Sequence, residues 1–278
     1  MTALKEAPQR RLVYQRPALL TDVSSHYCPG CGHGIVHRLV AEVLGDLGLG
    51  PRTIAVAAVG CAVFAYDYLK LDFVEAPHGR APAVATGIRR VRPDAFVLAY
   101  QGDGDLAAIG TAEIVHAAAR GEAITDVFVN NGIYGMTGGQ MAPTTLLGQH
   151  TTSTPLGRDA RLAGYPLPMT EMLAILPGVA YAARGSIADP AAIGRTKAML
   201  RRACEVQLEG RGFAIVEILA PCPVGWGMTP RESLRYLAEV VPTTYPLGVL
   251  VDRGRPEAVK VTATKATATK ATATKATG

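Results

Sequence analysis

The sequence has few cysteines and little net charge for its length, and both scarcities exclude classes of protein. Five cysteines among 278 residues are too few for a disulfide scaffold. The formal net charge is +5, and three of the positive charges are lysines in the last seventeen residues, which contain no acidic side chain. The +2 that remains provides no strong field for a polyanion, so we expect no nucleic-acid partner.

Long apolar runs are also missing. No stretch is long and apolar enough to cross a bilayer. Residues 1–17 are polar and basic, without the apolar segment of a signal peptide. We therefore expect a cytoplasmic protein with no membrane partner. In that compartment a Cys-x-x-Cys pair serves a metal or a redox step more often than a disulfide.

The composition divides the chain into three parts. Residues 1–16 form an N-terminal arm, residues 17–255 contain the apolar sequence of one large domain, and residues 256–278 form a tail of TATKA repeats. Because the tail has no large apolar side chain after Val261, we expect it to be disordered.

Strand-like and helix-like segments alternate through the large domain. Strands are predicted at 53–59, 95–100, 124–129, 179–183 and 213–219. This alternation predicts an α/β fold with a doubly wound, mostly parallel sheet. Ligands of such sheets bind beyond the carboxyl ends of the strands, so the loops that follow the strands should share one rim.

The first group of candidate site residues is Gly102-Asp103-Gly104-Asp105, between a predicted strand and a helix predicted over 105–119. Glycine allows a ligand to approach the backbone closely, and the first N–H groups of a helix suit a diphosphate. Asn130-Asn131 end the next strand. Carboxylate and amide oxygens are the ligands that Mg²⁺ prefers beside phosphate. The arrangement resembles the thiamine diphosphate motif, whereas a plain Asp-Gly turn would not explain polar residues at two successive strand ends.

Residue roles follow from that resemblance. Mg²⁺ would be held by the side chains of Asp103 and Asn131 and by the backbone carbonyl of Ile133. The residues expected to line the diphosphate are Gly102, Gly104, Asp105, Tyr134, Gly135, Met136 and Thr137.

The second group is Cys28-Pro29-Gly30-Cys31, with Cys61 and Cys222 far along the chain. Four thiolates can hold a [4Fe–4S] cluster or a structural zinc ion, and one Cys-x-x-Cys pair does not distinguish the two. Zinc sites usually join two short clusters, whereas the third and fourth cysteines here are isolated. Cys61 and Cys222 could each instead be a small buried hydrophobe, and we expect this of Cys204, which lies within a predicted helix.

Together these segments resemble the β subunits of 2-oxoacid:ferredoxin oxidoreductases over roughly residues 15–250. The matching segments are 27–34, 60–61, 102–105, 130–140 and 221–223. The resemblance implies thiamine diphosphate, Mg²⁺ and a [4Fe–4S] cluster as cofactors. The implied cluster ligands are Cys28, Cys31, Cys61 and Cys222. The implied reaction is oxidative decarboxylation of a 2-oxoacid to an acyl-CoA, with electrons passing through the cluster to ferredoxin.

The resemblance also implies a partner. Thiamine enzymes build their site between two α/β domains, and this chain supplies one, so an α subunit should bring the catalytic acid; no catalytic residue is assigned here. After Cys61 the chain reads Ala62-Val63-Phe64-Ala65-Tyr66, and the nearest base is Lys70. Relatives that use 2-oxoglutarate would carry a base close behind the cysteine. A branched-chain or aryl 2-oxoacid, such as 2-oxoisovalerate, is therefore favoured over 2-oxoglutarate.

Two other functions fit part of the pattern. A non-redox thiamine decarboxylase or synthase subunit needs the Gly-Asp-Gly and Asn-Asn site but not four cysteines. A zinc-containing nucleic-acid-binding module would use the Cys-x-x-Cys pair and the positive net charge, but that charge is mostly in the tail.

The histidines are the last candidates. His33 follows the Cys-x-x-Cys pair at a predicted helix start, and two interpretations stay open for it: contact with the diphosphate or the substrate, or a role as a polar packing residue. His26 is a weaker candidate of the same kind. His78, His116 and His150 are given no role.

Overall fold

The computed structural model describes residues 12–254. The predicted tail (256–278) and most of the predicted arm (1–16) lie outside the described residues. The strands are β1 (Thr53–Ala57), β2 (Asp72–Glu75), β3 (Phe96–Gly102), β4 (Thr125–Asn130), β5 (Ile133–Tyr134), β6 (Gln140–Met141), β7 (Val179–Ser186), β8 (Phe213–Leu219) and β9 (Gly248–Asp252). The helices are α1 (His33–Asp46), α2 (Ala65–Tyr68), α3 (Ala81–Val91), α4 (Thr111–Ala119), α5 (Ala160–Ala163), α6 (Met169–Ala174), α7 (Pro190–Leu208), α8 (Pro223–Trp226), α9 (Pro230–Glu239) and α10 (Val241–Thr244).

One sheet of seven strands organises the described residues, in the order β2-β1-β3-β4-β8-β7-β9. Neighbouring strands are parallel, except that β9 pairs antiparallel with β7. Strands β5 and β6 form a separate antiparallel pair. The predicted α/β fold with a doubly wound, mostly parallel sheet is confirmed.

The strand order reverses between β1 and β3. From β1 the chain first moves outward to β2 and then returns to place β3 on the other side of β1. At such a switch point the loops beyond the strands diverge and leave a crevice, which is where open α/β sheets bind ligands. The loops after β1, β2, β3 and β4 surround this crevice.

Helices cover both faces of the sheet because their apolar side chains recur at helical spacing. Leu39 of α1 and Leu200 of α7 belong to the buried core on one face. Ala85 of α3, Ile114 of α4 and Leu173 of α6 belong to the core on the other face. Within residues 12–254, no helix combines the length and the apolarity that a membrane span requires.

The structure adds four strands that the sequence did not predict, which are β2, β5, β6 and β9, and changes one helix. Strands β2 and β9 are short edge strands. The helix predicted over 105–119 is instead a π-helical turn, Gly104–Ile109, followed by α4. The turn is wider because the N–H of Gly110 donates to the carbonyl of Asp105, five residues back, at 2.9 Å. Such π turns occur often at functional sites.

Candidate functional site

A cavity of about 260 Å³ occupies the crevice, and we call it the rim cavity. It is lined by residues that follow four parallel strands. Cys61 comes after β1, His78 after β2, Asp103 after β3 and Asn131 after β4. The remaining lining residues that were predicted as site residues are His33, Gly102, Gly104, Asp105, Ile133, Tyr134, Gly135, Met136 and Thr137.

Asp103 and Asn131 bring side-chain oxygens to one point of the rim cavity. The backbone N–H of Ile133 donates to Asp103 Oδ2 and to Asn131 Oδ1, each at 3.2 Å, so the two oxygens lie beside one another. Asp103 also accepts from the N–H of Gly104 at 2.8 Å and from Thr144 Oγ1 at 2.9 Å. Burial raises the pKa of Asp103 to about 6. A carboxylate and an amide oxygen at this spacing form a donor set that suits a hard cation.

The two glycines of the Gly-Asp-Gly turn have different surroundings. A Cβ atom at Gly104 would lie 2.6 Å from the ring of Tyr134, so a larger residue cannot be accommodated there without displacing that ring. A Cβ atom at Gly102 would meet no protein atom within 4 Å. The backbone at Gly102 therefore borders open space in the cavity, where a ligand could approach it closely.

The Asp105 carboxylate is fully buried, and both of its oxygens already have hydrogen-bond donors. Oδ1 accepts from His78 Nδ1 at 2.5 Å and from the N–H of Gly79 at 2.7 Å, and Oδ2 accepts from Gln101 Nε2 at 2.5 Å. Because a carboxylate only accepts, His78 carries its proton on Nδ1, and Nε2 is the ring nitrogen open to a ligand. Asp105 therefore orients His78, whose side chain is 43% exposed.

His78 was given no role in the sequence analysis, and its place in the rim cavity corrects that omission. The edge strand β2 places His78 there, because a residue just beyond a parallel strand reaches the rim. The other histidines differ. His26 lines the neighbouring cavity described next, His116 lies in α4, and His150 bonds the carbonyl of Pro155.

A second cavity, of about 200 Å³, is lined by four of the five cysteines, and we call it the cysteine cavity. These are Cys28, Cys31, Cys61 and Cys222. Burial raises the pKa of Cys31, Cys61 and Cys222 to about 11, so without a metal these thiols are neutral. Cys204 is buried in α7, away from this cavity. In the part of the chain that the structure describes, no three His, Cys, Asp or Glu side chains are close enough to hold a single metal ion.

The two cavities share one wall. It consists of His33, Cys61, Asn131, Gly135 and Met136. A Cβ atom at Gly135 would lie 3.3 Å from Cys222 Sγ and 3.6 Å from Cys61 Sγ, so glycine lets the backbone pass closely between the cavities.

His33 is a buried member of this wall with an unused nitrogen. Its Nδ1 lies 3.5 Å from Cys31 Sγ, and its Nε2 has no hydrogen-bond partner among the described residues. Burial lowers the pKa of His33 to about 4, so the ring is neutral near pH 7. A buried polar atom without a partner is costly, which points to a ligand at this wall.

Comparisons with known proteins agree with this geometry. Residues 58–218 match the family model of thiamine pyrophosphate enzymes, C-terminal TPP binding domain. The structure is similar to the solved 2-oxoglutarate:ferredoxin oxidoreductase from Magnetococcus marinus with 2-oxoglutarate, coenzyme A and succinyl-CoA bound. The TM-score is 0.69 at 25% identity, over 90% of this chain and 89% of that chain.

Two relatives carry names that state an activity. The ketoisovalerate oxidoreductase subunit VorA of Methanothermobacter thermautotrophicus is 48% identical over 241 residues, which are 87% of this chain and 50% of that protein. The chain thus spans about half the length of this relative. The 2-oxoglutarate synthase subunit KorB of Methanocaldococcus jannaschii is 36% identical over 219 residues, 77% of each protein. The chain therefore belongs to the thiamine pyrophosphate enzymes, in the family of 2-oxoacid oxidoreductase subunits that includes VorA and KorB.

Proposed function

We propose that this chain is the β subunit of a 2-oxoacid:ferredoxin oxidoreductase, carrying thiamine diphosphate, Mg²⁺ and a [4Fe–4S] cluster. The observation that supports this best is the shared wall. A cavity with hard oxygen ligands and a cavity with four cysteines are separated at Gly135 by one backbone segment. An enzyme that oxidises a substrate on one cofactor and passes its electrons to another needs the two this close.

In this proposal Mg²⁺ is held by Asp103, Asn131 and the backbone carbonyl of Ile133. The convergence of the first two side chains on the Ile133 N–H supports the assignment. The buried Asp103 carboxyl, with its raised pKa, gains from a cation that stabilises its charged form.

The diphosphate is assigned to the backbone around Gly102 and Gly104, together with Tyr134, Gly135 and Thr137, which also line the rim cavity. Asp105 acts here through His78: the ring donates from Nδ1 to Asp105, and in its doubly protonated form it also donates from Nε2 to a phosphate oxygen. His78 is chosen for this contact because no Lys or Arg among the described residues lines the rim cavity. His33 offers its unpartnered Nε2 to the cofactor or the substrate.

A [4Fe–4S] cluster is assigned to Cys28, Cys31, Cys61 and Cys222. Four cysteines line one cavity, and the third and fourth are isolated in the sequence, whereas zinc sites usually join two short clusters; this favours a cluster over zinc. Binding would convert the neutral thiols to thiolates and release protons.

When bound, thiamine diphosphate supplies the nucleophile and electron sink for decarboxylation, and the cluster supplies an exit for electrons. The chain itself positions both. No glutamate of the described residues lines that cavity. An α subunit is therefore proposed to bring the catalytic acid, with coenzyme A as second substrate and ferredoxin as electron acceptor.

A branched-chain or aryl 2-oxoacid is the proposed substrate. The apolar side chains that line the rim cavity include Ala62, Ile109 and Met136, and no Lys or Arg of the described residues lines it to pair with a distal carboxylate. The VorA relative, named for ketoisovalerate, is 48% identical, whereas the KorB relative, named for 2-oxoglutarate, is 36% identical.

The test is metal analysis combined with a redox assay on the anaerobically purified complex of this chain with its partner. We expect about four iron and four sulfide per chain, Mg²⁺-dependent thiamine diphosphate binding, and CoA-dependent reduction of a viologen dye with 2-oxoisovalerate faster than with 2-oxoglutarate. Turnover by this chain without the partner would contradict the shared site. Stoichiometric zinc without iron, or CO₂ release without dye reduction, would instead favour the zinc module or the non-redox decarboxylase.

A further inference from the structure

The turn that carries Asn131 and Ile133 is attached to a buried hydrogen-bond network through Asn130. Asn130 Nδ2 donates to Glu217 Oε1 at 2.7 Å, and Asn130 Oδ1 accepts from the N–H of Gly132 at 3.1 Å. Gly132 has a φ of +67°, a conformation that glycine adopts without strain. The Asn130 side chain thus connects strand β8 to the turn.

Glu217 determines the orientation of the Asn130 amide. A carboxylate has only acceptors, so the NH₂ group of Asn130 must face Glu217 and the amide oxygen must face Gly132. The other Glu217 oxygen accepts from Arg184 Nε at 2.7 Å and from Thr170 Oγ1 at 2.5 Å. Donors thus occupy both oxygens and hold the carboxylate in place.

Stability alone does not account for this buried charge. Glu217 and Arg184 are 1% and 0% exposed, and replacing such a pair with apolar residues is often neutral or stabilising. Arg184 already has a second carboxylate partner, because its terminal nitrogens donate to Glu171 at 2.6 and 2.5 Å. Unlike Glu171, Glu217 also accepts from Thr170 and from Asn130, and of these two contacts only the one with Asn130 leads to the turn.

We propose that Glu217 is a positioning residue for the metal-binding turn. It acts through Asn130, which holds the Gly132 N–H and so sets the direction of the Asn131 side chain and of the Ile133 carbonyl. The inference rests on the proposed function, because it requires Mg²⁺ to be bound by this turn.

The decisive variant is Glu217→Gln, which keeps the volume and replaces one acceptor with a donor. If the introduced glutamine keeps its oxygen toward Arg184, its NH₂ group faces Asn130. The Asn130 amide must then lose that bond, or flip and turn its own NH₂ group toward the Gly132 N–H. We expect the apparent Kd of Mg²⁺, measured by calorimetry on the complex at saturating thiamine diphosphate, to rise about tenfold.

Two further variants separate positioning from folding. Glu171→Gln makes the same change on the other carboxylate of Arg184, without contact to Asn130, and should leave the Kd within about twofold of the wild type. The double variant Asn130→Asp with Glu217→Gln exchanges amide and carboxylate, so that each donor again faces an acceptor. This double variant should return the Kd of Mg²⁺ to within about threefold of the wild-type value. Melting temperatures, recorded for all variants, should fall for both single glutamate variants.

Three results would overturn the positioning role while the proposed function stands: an unchanged Kd in Glu217→Gln, equal losses in Glu217→Gln and Glu171→Gln, or no recovery in the double variant. Failure of the proposed function has a different signature. The wild-type complex would then show no Mg²⁺-dependent binding of thiamine diphosphate, Asp103→Ala would change nothing, and both proposals would fall.

Discussion

The indole N–H of Trp226 donates a 2.8 Å hydrogen bond to the backbone carbonyl of Asn131. Trp226 ends helix α8, which begins directly after Cys222. Between them, a Cβ atom at Gly225 would lie 2.9 Å from Cys222 Sγ and 3.2 Å from Ile133 Cγ2. The segment that carries the fourth cysteine is therefore packed against, and bonded to, the turn of the proposed Mg²⁺ ligands.

Trp226→Phe should weaken Mg²⁺-dependent thiamine diphosphate binding about fivefold, because the Asn131 carbonyl loses its donor while the ring volume is largely kept. Calorimetry on the complex measures this. Tyr236→Phe is a suitable control, since Tyr236 packs edge-on against Trp226 but makes no bond to Asn131. Equal affinity in Trp226→Phe and wild type would contradict the prediction.

His78→Asn should weaken binding of thiamine diphosphate about tenfold and leave binding of thiamine, which lacks the phosphates, nearly unchanged. The reason is that Asp105 holds His78 Nδ1, so the doubly protonated ring donates from Nε2 on the proposed diphosphate side. Competition binding with the two ligands distinguishes the outcomes. An equal loss for both ligands would show that His78 shapes the cavity and does not contact phosphate.

Mg²⁺-dependent cofactor affinity should fall as the pH is lowered through about 6. Burial raises the pKa of metal-free Asp103 to about 6, so below that pH the cation must displace a proton. One proton per site predicts a loss approaching about tenfold per pH unit. Calorimetry between pH 5 and 8 measures it, with Mg²⁺ binding to free thiamine diphosphate as the control. A profile no steeper than that of the free cofactor would argue against Asp103 as ligand.

Cys28→Ser, Cys61→Ser and Cys222→Ser should each remove at least about half of the iron, because a [4Fe–4S] cluster uses four thiolates. Cys204→Ser is the matched control, since Cys204 is buried in α7 and outside the cysteine cavity. Iron and sulfide analysis of anaerobic preparations compares the three ligand variants with the Cys204→Ser control. Equal iron loss in all four variants would mean that the ligand set is wrong.

Asp126→Asn should alter how stability depends on pH. Asp126 is fully buried on β4, and neither carboxyl oxygen has a partner among the described residues. Burial, with a contribution from Asp105, raises the pKa of Asp126 well above 3.8. The native carboxyl therefore stays protonated where the unfolded chain ionises. The free energy of unfolding should fall as pH rises above about 4, by up to about 1.4 kcal/mol per pH unit.

Urea unfolding between pH 5 and 8 tests this. The stability of Asp126→Asn relative to the wild type should increase with pH, because asparagine cannot ionise. Exposed Asp94, whose pKa is lowered to about 2 by its hydrogen bond with Arg92, is the control. The difference in the free energy of unfolding between Asp94→Asn and the wild type should not change between pH 5 and 8. A flat difference for Asp126→Asn as well would contradict the prediction.

The site residues that the sequence could predict are those that directly follow a strand with a clear apolar pattern. The Gly102–Asp105 segment and Asn131 follow strong apolar strands, so their convergence on one rim could be predicted from strand direction alone. The position of His78 could not be predicted in this way. Strand β2, which precedes His78, is four residues long and mostly exposed, so no apolar pattern in the sequence indicates that strand. The grouping of the cysteines could not be read from local sequence, because Cys61 and Cys222 are far from Cys28 along the chain and only the fold brings them together.

The features that were not predicted depend on packing between distant segments. The orientation of the Asn130 amide is decided by Glu217, 87 residues away, and the Asn131 carbonyl by Trp226, 95 residues away. The π turn arises where the chain must bring Asp105 back to His78. None of these partners has a local sequence signal, because each lies in a distant segment of the chain.

The edges of the sheet restrict how this chain can join others. At one edge, β2 is short and has exposed acids, Asp72 and Glu75, at its two ends. At the other, β9 spans only five residues and ends at Asp252, which is paired with Arg211. Short, charged edges resist the addition of a foreign strand. Association by sheet extension, the common route to aggregation, is thus disfavoured, and a partner must recognise this chain by side chains on its loops and helices.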